Sequence, residues 1–261
     1  MQATDDSEYG DAMVGALELV WGLGFLSPGG PEEVARVVAG LDLKGATVLD
    51  IGCGVGGIDL LLVEAHGAGR VVGIDVEAAN IERAQAEAER RGLAGCTEFV
   101  TVAPGPLPFA AERFDVVFSK DAIIHIPDKD ALFGDAFRAL VPGGWFAASD
   151  WLRRDDAPPS AEMRRYIAAE GLSFAMASPE RYRKAMTAAG FDEIAVIDRN
   201  PWYARTARAE LAAISGPLRA RLLELVGEAE AARQTQVWER MLVVLDSGEL
   251  RPTHLRGHKP R

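Results

Sequence analysis

The stretch VLDIGCGVGG, Val48 to Gly57, gathers residue types that bring a ligand against the backbone. Asp50 lies in a strand-like run, and glycines follow at 52, 54, 56 and 57 before a helical pattern opens. Glycine suits such a turn because a side chain would stop the backbone from bending sharply and approaching a ligand. Glycine-rich strand-to-helix turns also cradle the pyrophosphate of dinucleotides. Here, however, an acid inside the strand precedes the glycines; it repels pyrophosphate and pairs instead with a cationic amino group. Asp75 ends the next strand-like run, where a carboxylate accepts hydrogen bonds from both ribose hydroxyls. Acid, glycines, acid therefore fits a cofactor with an amino-acid end and a ribose but no phosphates. S-adenosylmethionine is that molecule.

These residues need strands to carry them. Short apolar runs at TVLDI (47–51), RVVGID (70–75), EFVTV (98–102), FDVVFS (114–119) and GWFAASD (144–150) alternate with helical patterns near 56–66, 77–91 and 129–140. Apolar runs separated by charged helices predict an α/β fold, a doubly wound, mostly parallel Rossmann-like sheet with its ligand crevice at the strands' carboxyl ends. Residues 1–45 read as an N-terminal helical lid, with helices near 11–20 and 31–41. Residues 46–150 read as the cofactor-binding core, and 151–261 as a helical substrate cap. Within the cap, FDEIAVID (191–198) reads as a return to the sheet, helix 178–189 as packing on it, and PTHLRGHKP as a final edge strand.

Composition narrows the partners. The chain has 261 residues, 28 Lys and Arg against 39 Asp and Glu, and a net charge of −11. Such an acidic surface disfavours nucleic acid and anionic membranes, which recruit Lys and Arg. Two cysteines, Cys53 and Cys96, and four histidines supply neither a disulfide framework nor a thiolate metal site. No metal is expected, and no basic, apolar leader opens the sequence. A cytoplasmic location is the expectation; oligomeric state is not readable.

The motifs VLDIGCGVGG, GIDV, LPF-x4-FDVVFS and ALVPGGWFAASD together resemble those of the class I S-adenosylmethionine-dependent methyltransferases, over about residues 46–150. The resemblance implies that Gly52 and Gly54 line the cofactor's methionine part, Asp50 lies beneath it, and Asp75 with Val76 holds the ribose. Ser119, at the end of the fourth strand, is also placed on the cofactor side. Many relatives carry an acid after the third strand that contacts the adenine amino group. Ala103 and Pro104 stand there instead, so adenine recognition passes to a looser contact or to backbone groups.

A narrower resemblance, to the phosphoethanolamine N-methyltransferases and the sarcosine/dimethylglycine N-methyltransferases, rests on Tyr9-Gly10, WGLGFLSPGG (Trp21–Gly30) and SKDAIIHIPDK (Ser119–Lys129). It implies a catalytic pair of Tyr9 and His125, Ser27 at the cofactor's carboxylate, and Asp121 near the transferred methyl. The chemistry agrees. An ammonium substrate must lose a proton before its lone pair attacks, and a histidine suits that task near neutral pH. Asp121 would orient the imidazole or attract the substrate cation.

For the substrate, Trp151, Tyr166, Trp202, Tyr203 and Trp238 could cage a methylated ammonium, while Arg165, Arg205 and Arg256 could hold a carboxylate. Where the phosphoethanolamine enzymes carry a phosphate-clamping arginine and tyrosine, this chain aligns Glu170 and Leu172, which disfavours a phosphobase. The expectation is methyl transfer to the nitrogen of a small soluble amine, such as sarcosine or dimethylglycine, leaving S-adenosylhomocysteine. Two alternatives stay open: an oxygen, sulfur or carbon acceptor on a natural product, and a cofactor-binding protein without transfer activity.

Overall fold

The structure, a computed structural model, describes residues 10–261. Among the described residues the sheet has seven strands: β1 (Thr47–Ile51), β2 (Arg70–Asp75), β3 (Thr97–Thr101), β4 (Phe114–Lys120), β5 (Leu140–Arg153), β6 (Asp192–Asp198) and β7 (Leu250–His258), in the order β3-β2-β1-β4-β5-β7-β6. The first five pair in parallel, and β7 is antiparallel to both β5 and β6. β7 is thus an interior strand, not the edge strand expected from the sequence. Pro252, Thr253, His254 and Leu255 are buried along it, whereas β6 exposes both ends and forms the true edge. β5 is also longer than expected. Its range includes Pro142-Gly143, where the ladder to β4 skips from Leu140 to Trp145.

Side chains alternate across the sheet and build a core on each face. On one face Leu49, Ile51, Val72 and Phe146 meet α5 (Lys129–Ala139) and α7 (Pro179–Ala189) through Phe133, Ala136, Tyr182 and Met186. On the other, Val48, Val71, Val116 and Phe118 meet α2 (Gly30–Val37) and α3 (Gly57–Glu64) through Val34, Val37, Ile58 and Leu62. Each large apolar side chain so buried contributes about 1.5–3 kcal/mol. α4 (Ala78–Arg90) covers β2 and β3 with Ile81, Ala84 and Ala88. Helix starts are marked by side-chain caps: Asp128 for α5, Ser160 for α6 (Ala161–Glu170) and Ser178 for α7 each accept from a backbone N–H of the first turn.

A third core joins α1 (Asp11–Trp21), α6, α8 (Asn200–Ser215) and α9 (Arg219–Asp246) through Ala16, Met163, Tyr166, Tyr203, Val237 and Trp238. α9 is interrupted at Gly227, whose φ of +77° breaks the helical path. This helical layer brings segments from both ends of the chain over the carboxyl ends of the strands.

Candidate active site

Gly52 takes a φ of +78°, and a Cβ there would lie 2.2 Å from that of Ala122. Any other residue would strain the backbone and push away the segment that carries Asp121. Gly57 faces a different limit: its Cβ would sit 2.1 Å from the Gly24 carbonyl oxygen. The loop between α1 and α2 therefore rests directly on the glycine turn.

Asp75, at the end of β2, accepts from Gly54 N–H on one carboxylate oxygen and from Glu77 N–H on the other, each at 2.9 Å. Each oxygen keeps a further lone pair for a hydroxyl. Val76 beside it is an exposed apolar side chain. Ala103 is exposed two residues past Thr101, which pairs with Asp75 across the sheet. Asp50 is buried with one carboxylate oxygen that has no hydrogen-bond partner. Burial pushes its carboxyl up to about 8, against the opposing pull of a hydrogen bond to Asp59 and the Lys120 charge. Asp59 is equally buried, and burial followed by the charge of Asp50 raises it too. Ser119 does not face this crevice. It is wholly buried, and its hydroxyl donates to the Ile51 carbonyl at 2.7 Å, tying β4 to β1.

Beyond β4 the chain passes through Asp121 and a single 3-10 turn, Ile123–His125. Asp121 holds a left-handed φ of +58°, a conformation that aspartate tolerates better than most residues. Its carboxylate takes the Lys120 ammonium at 2.6 Å and the Ser149 hydroxyl at 3.1 Å, and Lys120 also donates to Ser27 at 2.8 Å. Lys120 is a member of the site that sequence reasoning passed over, although it adjoins Asp121 in the SKDA motif. The 3-10 turn is pinned from behind by buried Asp150, which accepts from Ile124 N–H at 3.0 Å and from the Tyr182 hydroxyl at 2.5 Å. Burial raises the Asp150 carboxyl to about 7, with Lys129 and Tyr182 opposing.

His125 Nδ1 lies 2.9 Å from the Ser173 carbonyl oxygen. A carbonyl only accepts, so Nδ1 carries the proton and Nε2 presents a lone pair. Phe174 packs on the ring at 5.5 Å. Tyr9, the expected partner of His125, lies outside the described residues.

His125, Asp121 and Ser27 line one cavity of about 340 Å³. Its walls include Trp151, Tyr166, Tyr203 and Trp238, all named from the sequence, together with Trp21 and Met241. The rings are fixed by their polar ends. Buried Glu210 accepts from Trp21 Nε1 at 2.8 Å, and from Trp238 Nε1 and the Tyr203 hydroxyl at 3.1 Å. One carboxylate thus orients three wall aromatics from α1, α8 and α9, a role with no local sequence pattern.

Four residues expected at the substrate lie elsewhere. Trp202 packs over Gly29 and the Arg199 guanidinium, 4.9 Å from its ring. Arg256 donates from β7 to the Val37 carbonyl at 2.8 Å. Arg165 pairs with Glu162, and Arg205 donates to Pro201 within its own helix. Each has found a structural partner outside the cavity.

A family model described as a methyltransferase domain matches residues 42–190. The chain is 36% identical over 211 residues to the phosphoethanolamine N-methyltransferase of Triticum aestivum, covering 80% of this chain and 41% of that protein. It therefore spans well under half the length of that relative. Among solved structures, phosphoethanolamine N-methyltransferase 2 of Haemonchus contortus, in complex with phosphomonomethylethanolamine and S-adenosylhomocysteine, superposes with a TM-score of 0.90 at 24% identity. That match covers 98% of this chain and 60% of the other. A putative sarcosine dimethylglycine methyltransferase from Galdieria sulphuraria gives a TM-score of 0.77 at 21% identity, covering 88% and 84%. At those identities the likeness establishes the fold alone.

Proposed function

The chain belongs to the methyltransferase-domain family, and from that premise we propose that it transfers a methyl group from S-adenosylmethionine to the nitrogen of a small amine. The observation that carries the reading is the 2.9 Å contact of His125 Nδ1 with the Ser173 carbonyl: it makes Nδ1 the donor and leaves Nε2 the acceptor, on a residue that lines the same cavity as Asp121. The residues fit the cofactor. Gly52 and Gly57 let the Asp121 segment and the loop between α1 and α2 close directly on the glycine turn, and Asp75 retains acceptor sites for ribose hydroxyls. Ser27, Gly54, Asp75 and Val76 would hold it, with Asp50 beneath. When bound, S-adenosylmethionine supplies an electrophilic methyl on a sulfonium.

The protein's own work is alignment and proton removal. Asp121, held by Lys120 and Ser149, draws the substrate ammonium toward the end of β4. The wall aromatics exclude water and favour a cation by their ring faces. Nε2 of His125 accepts the proton that the nitrogen must lose before it attacks. A sarcosine or dimethylglycine substrate, expected from the sequence pattern, draws support from the printed name of the Galdieria structure. Against it, Arg256, Arg165 and Arg205 lie outside the cavity.

A screen for S-adenosylhomocysteine release against glycine, sarcosine, dimethylglycine, ethanolamines and their phosphates tests the reading. At least one amine should be turned over, and His125→Ala should lower kcat by about 10²-fold or more with unchanged cofactor affinity. Tight cofactor binding without release across the panel would sink it, as would full turnover by the variant.

A further inference from the structure

Two polar side chains on the cap side of the cavity, Glu170 and Gln234, offer it acceptor oxygens. Glu170 lines it from the last turn of α6, and its carboxylate meets the Tyr166 hydroxyl. Gln234 lines it from α9; its side chain is buried, and its Oε1 has no hydrogen-bond partner. The amide's Nε2 faces Glu230 Oε1 at 3.4 Å and Met13 Sδ at 3.6 Å, which leaves the carbonyl oxygen as the unsatisfied end. A buried acceptor without a donor is unfavourable until a ligand supplies one.

Among the described residues one arginine, Arg233, lines the cavity, and four of its five N–H donors are already engaged within the protein. Nε and Nη2 form a fork on Glu230 at 2.8 and 2.7 Å, and Nη1 donates to the Ala169 carbonyl at 2.8 Å and the Glu170 carbonyl at 3.3 Å. Lys120, behind the sheet side, is committed to Ser27 and Asp121. Among the described residues, an anionic end of a substrate on the cap side would therefore meet a carboxylate and an amide oxygen, beside a guanidinium already paired with Glu230. A donor-bearing end would satisfy both acceptors at once.

Building on the amine reading above, we propose that the acceptor is a small amine whose second polar group is itself a hydrogen-bond donor, a second ammonium or a hydroxyl, and which carries no phosphate or carboxylate. Asp121 receives the reacting nitrogen from the sheet side, and Glu170 with Gln234 receives the second group from the cap side. The aromatic walls suit the short aliphatic chain between them.

Calorimetric titration of the protein saturated with S-adenosylhomocysteine tests this without requiring turnover. The probes are 1,3-diaminopropane and 3-aminopropanol on one side, and phosphoethanolamine and sarcosine on the other. The donor-ended pair should bind at least tenfold more tightly, and the two members of that pair separate the ammonium from the hydroxyl. Equal or tighter binding of either anionic amine overturns the proposal. Glu170→Gln, nearly isosteric, should weaken diaminopropane about tenfold or more while leaving sarcosine unchanged or improved, with a wild-type melting temperature. Unchanged diaminopropane affinity in that variant also overturns it. If the donor-ended amines bind as expected but no methylated nitrogen is formed from them, the failure belongs to the acceptor-atom reading and not to this one.

Discussion

Asp50 and Asp59 have been drawn out of water beneath the glycine turn, where their carboxyls face each other. With Asp50 raised to about 8, the folded chain keeps a proton that the unfolded chain releases near pH 4. Stability from this pair is therefore greatest in acid and declines as pH rises from about 4 to 8; Asp150, raised to about 7, acts in the same sense. Thermal melts should show a fall of several degrees between pH 5 and 8. Asp59→Asn, which offers Asp50 a permanent amide donor, should flatten that slope; identical slopes would remove the pair from the account. Of the residues at this scale, Asp50, Asp75, Asp121 and His125 were legible because each sits in a local motif. Lys120 and Glu210 were not, because partners that make them matter come from another part of the chain: Ser27 lies 93 positions from Lys120, and Trp21 lies 189 from Glu210.

Helix α2 is fastened by a charged junction at its first turn. Glu33 is buried and accepts a fork from Arg199, at 3.0 and 2.8 Å, and a bond from His254 of β7 at 2.7 Å. Burial alone would raise its carboxyl, but His254 and Arg199 together hold it at about 2. A depressed carboxyl stabilises above its unfolded value, so this contribution, on the order of 3 kcal/mol, is complete above about pH 4.5 and is lost as pH falls toward 2. Glu33→Gln should cost about 2 kcal/mol or more at neutral pH in denaturant melts and should blunt the loss of stability in acid. Because α2 follows the loop resting on Gly57, cofactor affinity should fall with it, measurable by calorimetry. An unchanged melt would show that the junction is dispensable. The helices and most strands were legible from caps and apolar periodicity. β5 runs past its expected end at Asp150 because Trp151, Leu152 and Arg153 pair with Pro252, Arg251 and Leu250 of β7.

Across the whole molecule, the sheet closes through a strand far along the chain. The sequence announced β7 as a strand but not its place, since being covered on both faces is a property of the packed sheet. Deleting Leu250–Arg261 should remove the partner of β6, the second partner of β5 and the His254 anchor together. Cooperative thermal unfolding should then be lost; a retained sharp transition would show that the parallel half folds alone. The same topology bears on synthesis. β6 is complete at Asp198, yet its one partner among the described strands begins at Leu250, beyond α8 and α9. On the ribosome, the sheet's outermost strand emerges well before the strand that must slide in beside it. Through that interval β6 is an unpaired β segment, and the nascent chain's exposure to strand-capturing neighbours is set by the rate of translation across the two helices.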